Sequence, residues 1–183
     1  MKRTLAFILL IFVLGAIGYF GVRVYQEAAA EQAVQRRIQT LPDVALTTVD
    51  GEAVRPTGLS GDTPAVLVFF RPSCSYCQHE ARSIRTHPVL ADTAAVLFIS
   101  ARPPGALRAF ADSLRLRRRP RIRVLRDPSG AALRTFGVER VPTTFVYGRE
   151  GTLVRRFEGE VGASALYEAL SSAPSPAVSA AGS

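Results

Sequence analysis

Ala65-Val66-Leu67-Val68-Phe69-Phe70 is an unbroken apolar run, and the chain's only two cysteines, Cys74 and Cys77, follow almost at once. A run with no polar alternation suits a strand covered on both faces, the usual condition of a central parallel strand. Gly61 and Pro64 bound it on one side. Residues Cys74 to Arg85 are helix-compatible and stop near Pro88. The cysteines therefore fall where a buried strand passes into a helix. A bridge across two intervening residues closes too small a loop to constrain the unfolded chain, so its purpose is chemical rather than structural. A protein stapled for life outside the cytoplasm would show more cysteines, farther apart.

The rest of the chain alternates strands with helices. Val44–Val49 and Glu52–Val54 flank Asp50-Gly51, a hairpin-turn signal. Ala94–Ile99 is a second buried strand, and Ala106–Leu116 is an amphipathic helix carrying Leu107, Phe110, Ala111 and Leu114 at helical spacing. Arg121–Leu125 predicts a short strand and Pro128–Phe136 a short helix. Thr143–Tyr147 with Thr152–Phe157 forms a second hairpin around Glu150-Gly151, and Ala163–Leu170 closes as a helix. This order implies an α/β domain over residues 42–172, a mixed central sheet flanked by helices on both faces. Residues 173–183 are Ala, Ser, Pro and Gly apart from Val178, and are expected to be a disordered tail.

At the N-terminus, Met1-Lys2-Arg3 precedes an uncharged stretch from Thr4 to Val22. A helix needs about 20 apolar residues to cross a bilayer, so residues 1–23 are expected to be a single transmembrane anchor. The stretch exceeds the roughly 7–15 apolar residues of a cleaved signal peptide, although Ala28-Ala29-Ala30 offers a small-residue cleavage site. Lys2 and Arg3 keep that end cytoplasmic and place the domain outside. Residues 24–41 are polar, helix-favouring and ended by Pro42, the pattern of a helical spacer.

The net charge is +8 and mostly arginine. A basic surface is the footprint of polyanion binding, yet an extracytoplasmic domain is not expected to meet nucleic acid. The densest cluster, Arg115, Arg117, Arg118, Arg119, Arg121 and Arg123, crosses a helix-to-strand junction at Pro120. It is either a solvated face or a surface for anionic lipid headgroups or an acidic partner.

At a helix N-terminus, free backbone N–H groups and the helix dipole favour a thiolate. Cys74 is there and is the candidate nucleophile. Cys77, one turn deeper, is the candidate resolving thiol. Arg71 is near enough in sequence to add positive charge, or is a plain surface residue. Glu80 stands three residues beyond Cys77 on the same helix face: either a buried carboxylate that takes the Cys77 proton, or an exposed helix glutamate. Val141-Pro142-Thr143 puts proline before an apolar strand, where it lacks a ladder N–H. A cis-proline presenting the Val141 backbone to an extended substrate fits, and so does a trans proline in an ordinary loop. Haem attachment is excluded because Gln78, not histidine, follows Cys77. Zinc lacks ligands, since His79 and His87 are the only histidines. Copper held by Cys74, Cys77 and one histidine stays open. No cofactor or metal is otherwise expected.

With these residues the chain resembles the thioredoxin superfamily, and more closely its membrane-anchored, extracytoplasmic TlpA/ResA-like branch, over roughly Pro42 to Ala173. The likeness rests on the N-terminal β-hairpin at Asp50-Gly51, the strand leading into Cys74-Ser75-Tyr76-Cys77, the extra strand-helix section before Val124, Val141-Pro142-Thr143 and the Glu150-Gly151 hairpin. It implies a thioredoxin fold, a redox-active Cys74–Cys77 disulfide, a cis Pro142 against the dithiol, and a functional Glu80. The task it implies is reduction of disulfides in exported proteins, including apocytochromes awaiting haem, with a membrane redox partner recharging the dithiol. The family's tryptophan before the first cysteine is Ser73 here, and its usual intervening pair is Ser75-Tyr76. Both departures bear on redox potential and partner choice. Two rival readings are a peroxiredoxin-like peroxidase, which wants threonine where Arg71 stands, and a non-catalytic copper-binding module on the same scaffold.

Overall fold

A computed structural model describes the backbone of residues 2–172 and the side chains of residues 14–172. The expected tail at 173–183 lies outside the described residues. The chain forms two compact units, Met1–Arg36 and Arg37–Ser183. The first is helix α1 (Lys2–Ile38), whose last residues belong to the second unit. Among the described residues no helix is long and apolar enough to cross a membrane. Residues 4–13 of the expected span have side chains outside the described part.

The second unit runs β1 (Leu46–Thr48), β2 (Ala53–Val54), α2 (Pro56–Ser60), β3 (Ala65–Phe69), α3 (Ser75–Thr86), α4 (Leu90–Thr93), β4 (Ala95–Ser100), α5 (Pro104–Ser113), a 3-10 turn (Leu116–Arg118), β5 (Ile122–Arg126), α6 (Ala131–Thr135), β6 (Thr143–Tyr147), β7 (Leu153–Glu158) and α7 (Ala163–Ser171). One seven-stranded mixed sheet has the order β2-β1-β5-β4-β3-β6-β7. The chain strands β3, β4 and β5 are parallel, while β6 and β7 on one side and β1 and β2 on the other add antiparallel pairings.

The apolar run behaves as its composition requires. Side chains alternate across a strand, so β3 feeds two cores at once. Val66, Val68 and Phe70 join Cys77, Ala81 and Ile84 of α3, Leu107 and Phe110 of α5, and Leu166 of α7. On the other face Phe69 meets Phe136 at 5.1 Å and Phe145 at 5.7 Å between ring centroids. Each such buried side chain contributes roughly 1.5–3 kcal/mol. Because both faces are covered, the strand has no room for a polar residue.

The first residues of β3 and β4 are level with each other and with the last residue of β6, as Ala65 pairs with both Ala95 and Tyr147. The chain starts the domain at this end of the sheet. The Tyr147 hydroxyl donates to the Ile38 carbonyl at 2.9 Å, Leu41 N–H to Gly151 at 2.7 Å, and Leu153 N–H to Gln39 at 2.8 Å. Residues ahead of Pro42 are thus part of the compact unit, Ile38 being fully buried.

Two short helices, α2 and α4, lie outside the expected elements, whereas the short helix expected over Pro128–Phe136 is α6. The helix expected over Ala106–Leu116 begins at Pro104 and ends at Ser113. A left-handed Arg115 (φ 51) then turns the chain. Both hairpins turn at glycines with positive φ, Gly51 at 98 and Gly151 at 70.

Candidate active site

The end of β3 sets the position of both sulfurs. Phe70 N–H continues the ladder to the Ile99 carbonyl at 3.1 Å, after which Arg71-Pro72-Ser73 turns the chain into α3. Gln78 Nε2 closes this turn on the Pro72 carbonyl at 2.8 Å. Cys74 is the N-cap of α3, with its Sγ accepting the Cys77 N–H at 3.3 Å. Both cysteines are free thiols, Cys74 half-buried and Cys77 buried. A sulfur at this position takes the hydrogen bond that a helix otherwise leaves unmade, which stabilises negative charge on it. The Arg71 side chain is exposed. Its carbonyl accepts the Cys74 N–H at 3.1 Å.

Cys77 is pushed well above the ordinary thiol range, first by burial and then by its link to the Cys74 sulfur. It holds its proton firmly at neutral pH. A group able to accept that proton lies one turn farther on. Glu80 is fully buried, so the exposed-glutamate reading does not describe it. Thr144 Oγ1 donates to Glu80 Oε1 at 2.6 Å, while Oε2 has no hydrogen-bond partner among the described residues. Burial raises the carboxyl to about 7, against the pull of the Thr144 hydroxyl and of the Val161 backbone, the latter from outside hydrogen-bonding geometry. A nearby Glu160 charge raises it further.

The Val141–Pro142 peptide is cis. Phe69 pairs with Thr143, so Pro142 stands beside the end of β3 from which the cysteine turn departs. Val141 and Cys74 pack against the same buried cluster, which contains Cys77. The Pro142 carbonyl is taken by Gly159 N–H at 2.9 Å, whereas Val141 makes no backbone hydrogen bond among the described residues. Cys74, Cys77, Glu80, Val141 and Pro142 therefore gather at one end of the sheet.

Neither histidine joins them as a metal ligand. His79 is exposed and 3.7 Å from Glu160, and His87 Nδ1 accepts the N–H groups of Val89 and Leu90. Among the described residues no three His, Cys, Asp or Glu side chains are placed to hold a metal ion, which removes the geometric support for copper.

Sequence reasoning missed Thr144. A hydroxyl in a strand that is otherwise buried needs a buried partner, and that requirement was the available signal. Asp127 was missed as well: fully buried, it accepts the Leu133 N–H at 3.1 Å and so ties down the first turn of α6.

Two free thiols unequal in exposure, one helical turn apart at the end of a central parallel strand, are the arrangement of a thioredoxin-like thiol-disulfide oxidoreductase, and that is the class this fold and site define. The chain belongs to the AhpC/TSA family, which it matches over residues 38–156. A secreted Mycobacterium tuberculosis disulfide oxidoreductase homologous to E. coli DsbE is 25% identical, with a TM-score of 0.57 over 73% of this chain and 92% of that one. Peroxidoxin BcpB from Mycobacterium tuberculosis is 26% identical, with a TM-score of 0.60 over 72% and 92%. The exposed lipoprotein thioredoxin Etrx1 from Streptococcus pneumoniae is 26% identical, with a TM-score of 0.56 over 71% and 98%. No curated protein sequence matches the chain.

Proposed function

We propose that the protein reduces disulfides in exported proteins from an extracytoplasmic, membrane-tethered position. The observation that carries the reductase reading is the buried Cys77 thiol beside the buried Glu80 carboxyl. A dithiol becomes a strong oxidant when its reduced form is stabilised as thiolate. Burial withholds that stabilisation from Cys77, so only Cys74 is favoured as thiolate, and we read this balance as favouring donation of electrons.

In the forward direction the Cys74 thiolate attacks one sulfur of a substrate disulfide. The substrate S–S bond breaks, a Cys74–substrate disulfide forms, and the departing substrate thiolate takes a proton from solvent. Glu80 then accepts the Cys77 proton, and the Cys77 thiolate attacks Cys74 Sγ. The second substrate thiol is released and the Cys74–Cys77 disulfide remains, two electrons having passed to the substrate. The unpaired Val141 backbone suits an extended substrate segment laid alongside. A membrane redox partner must return two electrons, and apocytochromes are one substrate class of this chemistry.

The tether is supported by α1. Leu14, Ile17, Phe20, Val22 and Val24 are all exposed on it, and such a surface is unfavourable in water. The likeness to a secreted oxidoreductase and to an exposed lipoprotein agrees with an outside address.

The test is trapping. Cys77→Ser is expected to accumulate mixed disulfides with intact, disulfide-bonded insulin while Cys74→Ser does not, and the wild type precipitates insulin in the presence of a thiol reductant. Trapping by Cys74→Ser and not by Cys77→Ser would reverse the roles of the two sulfurs, and equal trapping by both would remove the distinction. The family match and the likeness to BcpB favour a second reading, a peroxidase. Hydroperoxide consumption without insulin reduction would select it over the first.

A further inference from the structure

The proposed chemistry does not use the six clustered arginines, and the fold places five of them, Arg115 to Arg121, at the end of the sheet opposite the dithiol, with Arg123 following inside β5. Ile122 pairs with Val96, next to Ala95, which is level with Ala65 at the start of β3. The arginine turn between α5 and β5 thus shares its end of the sheet with the Ile38–Leu41 segment that begins the domain. Cys74 lies beyond the far end of β3, a strand of five residues and about 17 Å.

Three properties of the turn set it apart from an ordinary solvated face. Leu116 and Ile122 are buried, so the arginines between them are presented by a segment pinned at both ends. Asp112 pairs with Arg117 and Asp92 with Arg119. Arg115, Arg118, Arg121 and Arg123 are exposed and have no side-chain hydrogen bond or ion pair among the described residues. Arg115 is also the only non-glycine with positive φ among the described residues, in a post-helix position that favours glycine by roughly 1 kcal/mol. An arginine kept there against its backbone preference points to a use for its charge. Exposed Arg37 and Arg149 add to the same end, against the carboxylates of Asp62 and Glu150.

We propose that the Arg115–Arg121 turn docks on anionic lipid headgroups, laying this end of the domain on the membrane and holding the Cys74–Cys77 end away from it. The inference rests on the tethered reading above, because an anchored chain keeps the domain within reach of a bilayer, joined to it through residues 24–36. Guanidinium groups form paired hydrogen bonds with phosphate oxygens, and each basic side chain at an anionic surface strengthens docking roughly fivefold. A nucleic acid is not the expected polyanion at this address, and an acidic protein is the alternative that the experiment separates.

The experiment uses the full chain in lipid nanodiscs of phosphatidylcholine alone, or of phosphatidylcholine mixed with phosphatidylglycerol. Backbone hydrogen exchange is followed over residues 115–121. Slower exchange in the phosphatidylglycerol discs, reversed by salt, is the expected result, since screening weakens exposed charge pairs. Arg118→Gln is expected to weaken docking roughly fivefold, and Arg115→Gln with Arg118→Gln and Arg121→Gln to abolish the protection while insulin reduction stays at the wild-type rate. Equal exchange in both discs, with the chain retained in each, overturns the docking surface and leaves the tether standing. Loss of the chain from phosphatidylcholine discs overturns the tether and the docking with it. Protection that appears only when an acidic protein such as ovalbumin is added to phosphatidylcholine discs overturns the lipid assignment in favour of a protein partner.

Discussion

Thr144 on β6 donates a 2.6 Å hydrogen bond to Glu80 on α3, across 64 residues of sequence. The bond holds one carboxylate oxygen while the other is left without a partner. A buried carboxyl in this half-satisfied state ionises near neutrality, where a proton acceptor for a thiol is most effective.

Glu80→Gln keeps the shape and the Thr144 contact but removes the base. Resolution of the mixed disulfide is expected to slow by about 10²–10⁴-fold, with little change in the first attack by Cys74. In the wild type the resolving rate rises with pH through about 7, as Glu80 loses its proton. In the variant that rise is absent. Rapid-quench trapping of the mixed disulfide across pH 5–9 measures both. The same substitution changes stability with the opposite sign. Glu80 has its folded value raised from 4.5 to about 7, so its favourable contribution is complete below 4.5 and is lost as pH rises to 7. Above pH 7 Glu80→Gln is therefore expected to be more stable than wild type by up to about 3 kcal/mol, with the difference vanishing below 4.5. Chemical denaturation at pH 4 and pH 8 checks it, and a variant less stable at pH 8 would contradict the buried carboxylate.

Thr144→Val removes the donor that favours the charged form. The Glu80 carboxyl then moves above its present value of about 7, and the midpoint of the resolving-rate profile shifts upward by about one pH unit. Thr144→Ser restores the hydroxyl and is expected to restore the midpoint. A purely structural threonine would lower stability in Thr144→Val without moving the profile.

Tyr76 is 64% exposed, beside Cys74 on the first turn of α3. Its ring is free to cover apolar surface of a protein substrate. Tyr76→Ala is expected to raise KM for a protein disulfide roughly tenfold, as loss of an aromatic anchor does. Stability should change by less than about 0.5 kcal/mol. Reduction of a small disulfide such as oxidised glutathione should be unaffected, and parallel kinetics with the two substrates separates docking from chemistry.

The periodicity of the sequence was enough to place every sheet strand and every long helix of the domain, because an apolar run such as Ala65–Phe70 has few alternatives once both its faces must be dry. The opening Cys74 and Cys77 pair was legible for a similar reason: their spacing alone puts both on one helical turn after that strand. Two short helices were not. α2 and α4 are set by what they cover, and no pattern of four residues records that.

Glu80 marks where the sequence stopped. Spacing put it on the Cys77 side of α3 but could not distinguish a solvated carboxylate from a buried one, since an isolated helix has no inside. Only when β6 is laid antiparallel to β3 does Thr144 arrive opposite Val68, within reach of Glu80, and only then does the carboxyl lose its water. The same pairing carries Pro142 to the mouth of the cysteine turn. The sequence by itself determined which elements exist and where the two sulfurs sit along the chain. The charge state of the groups around them was decided by tertiary packing, because desolvation depends on neighbours that arrive from far along the chain.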